Sequence, residues 1–343
     1  MSHYNSYDSF NQKRSREKKM RAKNKEVKLV SDFVVDRASE YGVVVEVKYH
    51  DVFVYYDNQV VLAHLRKDLN VACNQILYPG DKVVLHLENN QSVITNLIRR
   101  TSLLSRIKKD STRLDDVGKV KSIAANVDLA VIVVAAHEPP LHPKFIDRYL
   151  MVLQNSQIPV ILCLNKCDLK TQVEDEILQI YKDLGIPVIE TSTYTLEGID
   201  ELKKYLKGNQ AILVGNSGVG KSSLINALME TKEIKTGSVS EKSKRGKHTT
   251  TTSKYYVWSD DSSIIDTPGI RSLDVSSLQA LEIQDYFKEF QKFRGECKYA
   301  DCLHYHEQIK SCKIKQEVRE GNVSKERYES YLRIMSDLLK NDR

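Results

Sequence analysis

Residues 215–222 read Gly-Asn-Ser-Gly-Val-Gly-Lys-Ser, which fits the pattern G-x-x-x-x-G-K-[ST] without exception. In such a turn the backbone N–H groups and the N-terminus of the following helix face a phosphate chain. The apolar run Ala211–Val214 precedes it, and SSLINALM follows with apolar residues at helical spacing. That strand–loop–helix setting is what the pattern requires. Gly215, Asn216, Ser217, Gly218, Val219 and Gly220 are therefore expected to wrap the phosphates. Lys221 should reach the β- and γ-phosphates, and Ser222, followed by Ser223, should bring a hydroxyl to Mg2+.

A second stretch selects a base. VILCLN runs into Asn165-Lys166-Cys167-Asp168. A carboxylate in the base plane accepts from both N1–H and the exocyclic amine of guanine, and adenine offers no such pair of donors. Asp168 is expected in that role, with Asn165 on the other edge, the stem of Lys166 over the face and Cys167 between them. The end of a parallel strand is where such sheets bind ligands. Ser192 and Thr193, after the next strand, are expected to add a backbone contact to the base. An ordinary strand-end turn is the alternative there.

Asp266-Thr267-Pro268-Gly269 follows another strand. An Asp-x-x-Gly segment places a carboxylate near Mg2+ through water and an amide, that of Gly269, near the γ-phosphate. Before it, KRGKHTTTTSK (244–254) is polar and rich in hydroxyls. One of Thr249–Thr251 is expected to ligate Mg2+, and Thr250 is favoured. Ile270 stands where many GTP-hydrolysing proteins carry a glutamine that orients water. Hydrolysis by the chain alone is therefore expected to be slow. His248 is the candidate water-positioning group, and with Lys221 and Thr250 it makes up the expected catalytic set.

Half of the six cysteines, Cys297, Cys302 and Cys312, fall within 16 residues together with His304 and His306. Three thiols and one imidazole close a tetrahedral zinc site, and four protein ligands leave no position open for catalysis. Cys73, Cys163 and Cys167 read as ordinary thiols.

The elements that must hold these residues are legible as patterns. Between about 120 and 275, apolar runs at 127–136, 158–165, 186–192 and 210–216 alternate with helical stretches at 143–154, 172–184 and 198–206. Such alternation predicts a parallel sheet covered on both faces. Further strands are expected at 254–259 and 262–266. Residues 38–105 hold about five short β-type runs with no room for long helices, which predicts a small barrel. An OB-fold, a frequent binder of single strands, leads over an SH3-like barrel. The division expected is 1–37 as a flexible extension, 38–105 as an RNA-binding OB domain, 106–275 as the nucleotide domain and 276–343 as a helical zinc domain.

Nine Lys and Arg residues crowd positions 13–28 against Glu17 and Glu26. A block that dense meets a polyanion, RNA foremost. The chain as a whole is 41% hydrophobic and 29% charged, with a net charge of +6. That composition is globular, and neither a secretory signal nor a 20-residue apolar span is visible. A cytoplasmic protein acting as a monomer, with no membrane partner, is expected.

The motifs occur in the order base reader, second base contact, phosphate loop, threonine segment, Asp-x-x-Gly. GTP-binding domains ordinarily begin with the phosphate loop, and the two orders are cyclic permutations of each other. The chain resembles the RsgA family, the circularly permuted GTPases of small-ribosomal-subunit biogenesis. SIAANVD (122–128), IDRYL (146–150), LNKCDL, GNSGVGKSSLIN, GKHTTTT, DTPGIR and CKYADCLH carry that resemblance. It implies an N-terminal OB domain, a permuted GTPase binding GTP or GDP with Mg2+, and a C-terminal domain with one structural zinc on Cys297, Cys302, His304 and Cys312. It also implies GTP hydrolysis stimulated by the small ribosomal subunit and contact with its rRNA. One departure stands out: seven residues separate His304 from Cys312 where the family usually has about five, which makes His306 a rival ligand. Two other readings compete, a GTP-dependent switch on a different RNA and a metabolic P-loop kinase or ATPase. Asn165-Lys-x-Asp168 and the lack of a substrate domain oppose the latter.

Overall fold

The computed structural model describes residues 34–36, 40–48, 51–66, 77–107, 120–230, 254–259, 261–266 and 279–341. The chain forms two compact units, Met1–Arg100 and Thr101–Arg343.

In the first unit, β1 (Val34–Val35), β2 (Gly42–Lys48), β3 (Asp51–Tyr56), β4 (Gln59–Leu65), β5 (Lys82–Glu88) and β6 (Gln91–Ile98) form one sheet. Its order is β1-β6-β4-β3-β2-β5, and β5 pairs again with β6. Strands β2 to β6 thus close on themselves, with β4 and β6 parallel and the other pairs antiparallel. A five-stranded barrel with that one parallel pair has OB topology. Two hairpins turn on two residues each, Asp57-Asn58 and Asn89-Asn90, all four at positive φ. Asn and Asp tolerate that conformation, and turns of this twist match the strands they join. Val44, Val52, Val54, Ala63, Val83, Ile94 and Leu97 fill the interior. Gly80-Asp81 is more than a turn: Asp81 is fully buried, and Arg100 grips its two oxygens at 2.6 and 2.8 Å.

The second unit opens with a ribbon of β7 (Leu103–Ile107) and β8 (Val120–Ala125). Its main sheet contains β9 (Leu129–Ala135), β10 (Val160–Asn165), β11 (Val188–Glu190), β12 (Gln210–Val214), β13 (Lys254–Ser259) and β14 (Ser262–Asp266). The order is β11-β10-β9-β12-β14-β13, parallel except for the β13–β14 pair. Every residue of β9 and β12 is buried, because apolar clusters cover both faces of the sheet. The chain lays down β9, β10 and β11 in one direction, then returns to place β12 on the other side of β9. The strand order therefore reverses between β9 and β12, and such a reversal opens a ligand crevice at the strands' carboxyl ends.

Helices α1 (Pro143–Asn155), α2 (Gln172–Asp183), α3 (Ile199–Leu206) and α4 (Lys221–Glu230) follow β9, β10, β11 and β12. Proline at its first position starts α1, and a Thr171–Glu174 capping box starts α2. The C-terminal helices α5 (Lys288–Gln291), α6 (Lys313–Glu320) and α7 (Lys325–Asn341) pack around Phe287, Phe290, Tyr331, Cys302 and Cys312. Met151 of α1 belongs to the same cluster. Among the described residues no helix is long and apolar enough to cross a membrane.

Candidate nucleotide site and metal cluster

The loop 215–220 leaves β12 beside β9. Gly215 lies so close to that strand that a Cβ on it would stand 2.2 Å from the Val133 carbonyl oxygen. Gly218 and Gly220 have φ near +85° and +92°, a region that favours glycine. Lys221 opens α4, and its ammonium donates to the carbonyls of Gly215 and Asn216 at 2.8 Å each, which keeps the charge at the loop. Ser222 and Ser223 are exposed in the first turn of α4. Asp266 ends β14 opposite Leu213, two residues before the loop begins. His248, Thr250, Gly269 and Ile270 lie outside the described residues.

The loop after β10 meets this one directly. Asn165 is 1% exposed, and its Nδ2 donates to the carbonyl of Val219 at 2.9 Å. Lys166 adopts a left-handed backbone conformation, and its Nζ donates to the carbonyls of His137 and Glu138 at 3.0 and 2.5 Å. This draws its stem across the end of the sheet. Asp168 is exposed, so its carboxylate is free of burial and available at the rim. The segment after β11 is tied to the same place: Cys167 N–H donates to the Thr191 carbonyl at 3.0 Å, and the Thr191 hydroxyl lies 3.4 Å from Asn165 Oδ1. Ser192 is fully buried, and its Oγ accepts from the N–H groups of Tyr194 and Thr195. Thr193 lies within that turn. Three loops distant in sequence are thus hydrogen-bonded into one rim, with phosphate-type donors at one end and a carboxylate at the other. Cys163 is fully buried and its thiol is pushed up to about 12, and burial raises Cys167 as well. A thiol whose pKa is raised carries little thiolate at neutral pH. Cys73 lies outside the described residues.

In the C-terminal region Cys297, Cys302, His304 and Cys312 bring their ligand atoms within 4.8 Å of one another. His304 Nδ1 stands 3.3, 3.4 and 3.6 Å from the sulfurs of Cys302, Cys312 and Cys297. Tetrahedral zinc, with bonds near 2.05 Å to nitrogen and 2.3 Å to sulfur, requires an N···S separation of about 3.6 Å. The donor set and its spacing fit that ion. Gln284 Oε1 accepts from His304 Nε2 at 2.9 Å, leaving Nδ1 as the ligand atom, and the Lys313 N–H donates to Cys297 Sγ. Burial raises the thiols of Cys302 and Cys312 and lowers the pKa of His304. His306 is exposed, against Tyr305 and outside the cluster. The sequence held no sign of Gln284, which lies 13 residues before the first cysteine.

Residues 97–276 match the description RsgA GTPase. A Small ribosomal subunit biogenesis GTPase RsgA from Pseudomonas putida is 35% identical over 309 residues, 88% of this chain and 84% of its own.

The chain belongs to the RsgA GTPase family.

The crystal structure of YjeQ from Thermotoga maritima superposes with a TM-score of 0.65 at 29% identity, covering 88% of this chain and 98% of that one. That of YloQ, titled a circularly permuted GTPase, gives 0.63 at 24% identity, covering 90% and 97%, and speaks to the fold alone. The OB barrel, the permuted parallel sheet and the helical region with its Cys3His cluster are thus the architecture expected from the motifs.

Proposed function

We propose that the protein is a GTPase of small-ribosomal-subunit biogenesis, hydrolysing GTP to GDP and phosphate. The observation that carries this reading is the Asn165–Val219 hydrogen bond, which joins a guanine-type reader to a phosphate-type loop despite their inverted order. The family membership supports the same reading, and a GTP switch on an unrelated RNA has nothing further in its favour.

In this reading Asp168 and Asn165 select guanine, Lys166 and Cys167 flank it, and Ser192 and Thr193 close the base pocket. Gly215 to Ser223 hold the phosphates. Mg2+ would be held by Ser222 and Thr250 with Asp266 through water, where it neutralises developing phosphate charge. Gly269 and His248 serve the γ-phosphate and the attacking water, and these two roles and that of Thr250 rest on sequence. One structural zinc on Cys297, Cys302, His304 and Cys312 organises the C-terminal helices. The division proposed is 1–37, 38–105, 106–275 and 276–343. The basic extension and the barrel contact rRNA, and the protein works as a cytoplasmic monomer.

GTP turnover measured alone and with purified small subunits, large subunits or bulk RNA tests this. Specific stimulation by small subunits is expected, since Ile270 cannot orient water. Equal turnover in all four mixtures would overturn the assignment of the partner.

A further inference from the structure

A buried ion pair links the C-terminal helices to the segment on which the nucleotide rim leans. Asp147, in the second turn of α1, is fully buried, and Arg327 in α7 is 4% exposed at its side chain. Arg327 Nη1 donates to Asp147 Oδ1. Its Nε and Nη2 donate to Glu289 at 2.7 and 3.2 Å, and its guanidinium lies 4.3 Å from the Phe287 ring centre. Tyr181 in α2 donates to Asp147 Oδ1 at 2.9 Å and lies 3.3 Å from the Pro143 carbonyl. Lys144 pairs with Asp337 of α7 at 2.8 Å. The first two turns of α1 are therefore joined to α7 by two ion pairs, while Ile146, Tyr149 and Leu150 pack in the apolar cluster over the sheet.

The residues immediately before α1 are the ones that touch the rim. Lys166 Nζ holds the carbonyls of His137 and Glu138. Pro139 Cδ lies 3.5 Å from where a Cβ on Gly218 would sit. Pro140, Phe145, Tyr149, Asn216 and Val219 line one small recess. The 137–142 segment runs from the end of β9 to α1, with Lys166 on two of its carbonyls and Leu141 buried in the sheet's apolar cluster.

We infer that Arg327 is a positioning residue for guanine-nucleotide binding, acting through Asp147 to fix α1 and with it the carbonyls that hold Lys166. This rests on the nucleotide reading above. A buried ion pair is a weak source of stability compared with an apolar pair of equal volume, but it is directional. Here the direction sets where α7 meets α1. Coupling between sites is reciprocal, so nucleotide binding must in turn steady the Arg327 contact.

The test uses the full-length, zinc-loaded chain and Mg2+-GDP at a temperature well below melting, where a loss of stability alone leaves affinity unchanged. Arg327→Met keeps the stem over Phe287 and removes the charge. The expected result is GDP binding weakened on the order of tenfold, with zinc content retained and partial recovery in Arg327→Lys. In an Asp147→Asn background, Arg327→Met should add little further loss, because the two act as one unit. Wild-type affinity in folded Arg327→Met, or fully additive losses, would overturn the inference. If Arg327→Met does not fold, amide exchange of the wild-type protein decides. GDP should slow exchange across 325–333, and identical exchange with and without GDP contradicts the coupling. Wild-type protein that binds no GDP would instead remove the nucleotide reading itself.

Discussion

The side-chain amide of Asn165 donates to the backbone carbonyl of Val219 at 2.9 Å across 54 residues of sequence. The base-reading segment comes first in the chain and the phosphate loop second, and this hydrogen bond closes them into one rim. The sheet makes the meeting unavoidable, since β10 and β12 flank β9 and end on the same side.

Asn165→Ala removes that bond and leaves the Val219 carbonyl without its partner in a buried position. A loss of about 1–3 kcal/mol of stability is expected, read as a melting temperature lower by several degrees, together with weaker GDP binding by calorimetry. Unchanged affinity would mean that the two loops hold together by other means.

Gly220→Ala is expected to be worse. Its Cβ would stand 2.2 Å from Asn165 Nδ2 at a φ of +92°. Gly185 has a φ of +77° with nothing within 4 Å of its would-be Cβ. Gly185→Ala therefore carries only the left-handed backbone cost, about 1–2 kcal/mol, and serves as the control. Nucleotide binding should fall only in the Gly220 variant, and equal losses in both would contradict the geometry.

Zinc removal should melt the C-terminal helices first. Cys312 is fully buried amid Phe287, Phe290 and Tyr331. Three thiols without metal leave polar groups inside an apolar cluster, and structural zinc supplies folding energy directly. Elemental analysis should find one equivalent of zinc in the wild-type protein and in His306→Ala, and much less in Cys312→Ser and His304→Ala. Zinc loss on changing His306 would reverse the choice of histidine.

In the barrel, Arg100→Ala strands the carboxylate of Asp81, which is fully buried. Breaking one side of such a pair costs about 3–5 kcal/mol, so the first unit should unfold at distinctly lower urea. A paired replacement, Asp81→Asn with Arg100→Met, should recover part of that loss.

The sequence made the sheet legible because a strand buried on both faces is a continuous apolar run. Residues 254–259 were readable for another reason, a run of aromatic and β-branched residues in what proves to be the half-buried edge strand. The phosphate loop and the cysteine cluster were readable because their ligands lie within a few residues of one another. Asp147–Arg327 and Gln284–His304 were not, since their partners lie 180 and 20 residues apart and nothing local marks Arg327 or Gln284 as the partner. Asp81 was misleading in another way: beside Gly80 it has turn chemistry, and only the folded barrel reveals Arg100 closing over it.

The most direct test of the permuted site is a structure of the protein with Mg2+ and a non-hydrolysable GTP analogue. The account predicts the guanine edge on Asp168 and Asn165, and the β- and γ-phosphates within Gly215–Ser222. Phosphates bound in that loop with the base turned away from Asp168 would contradict it.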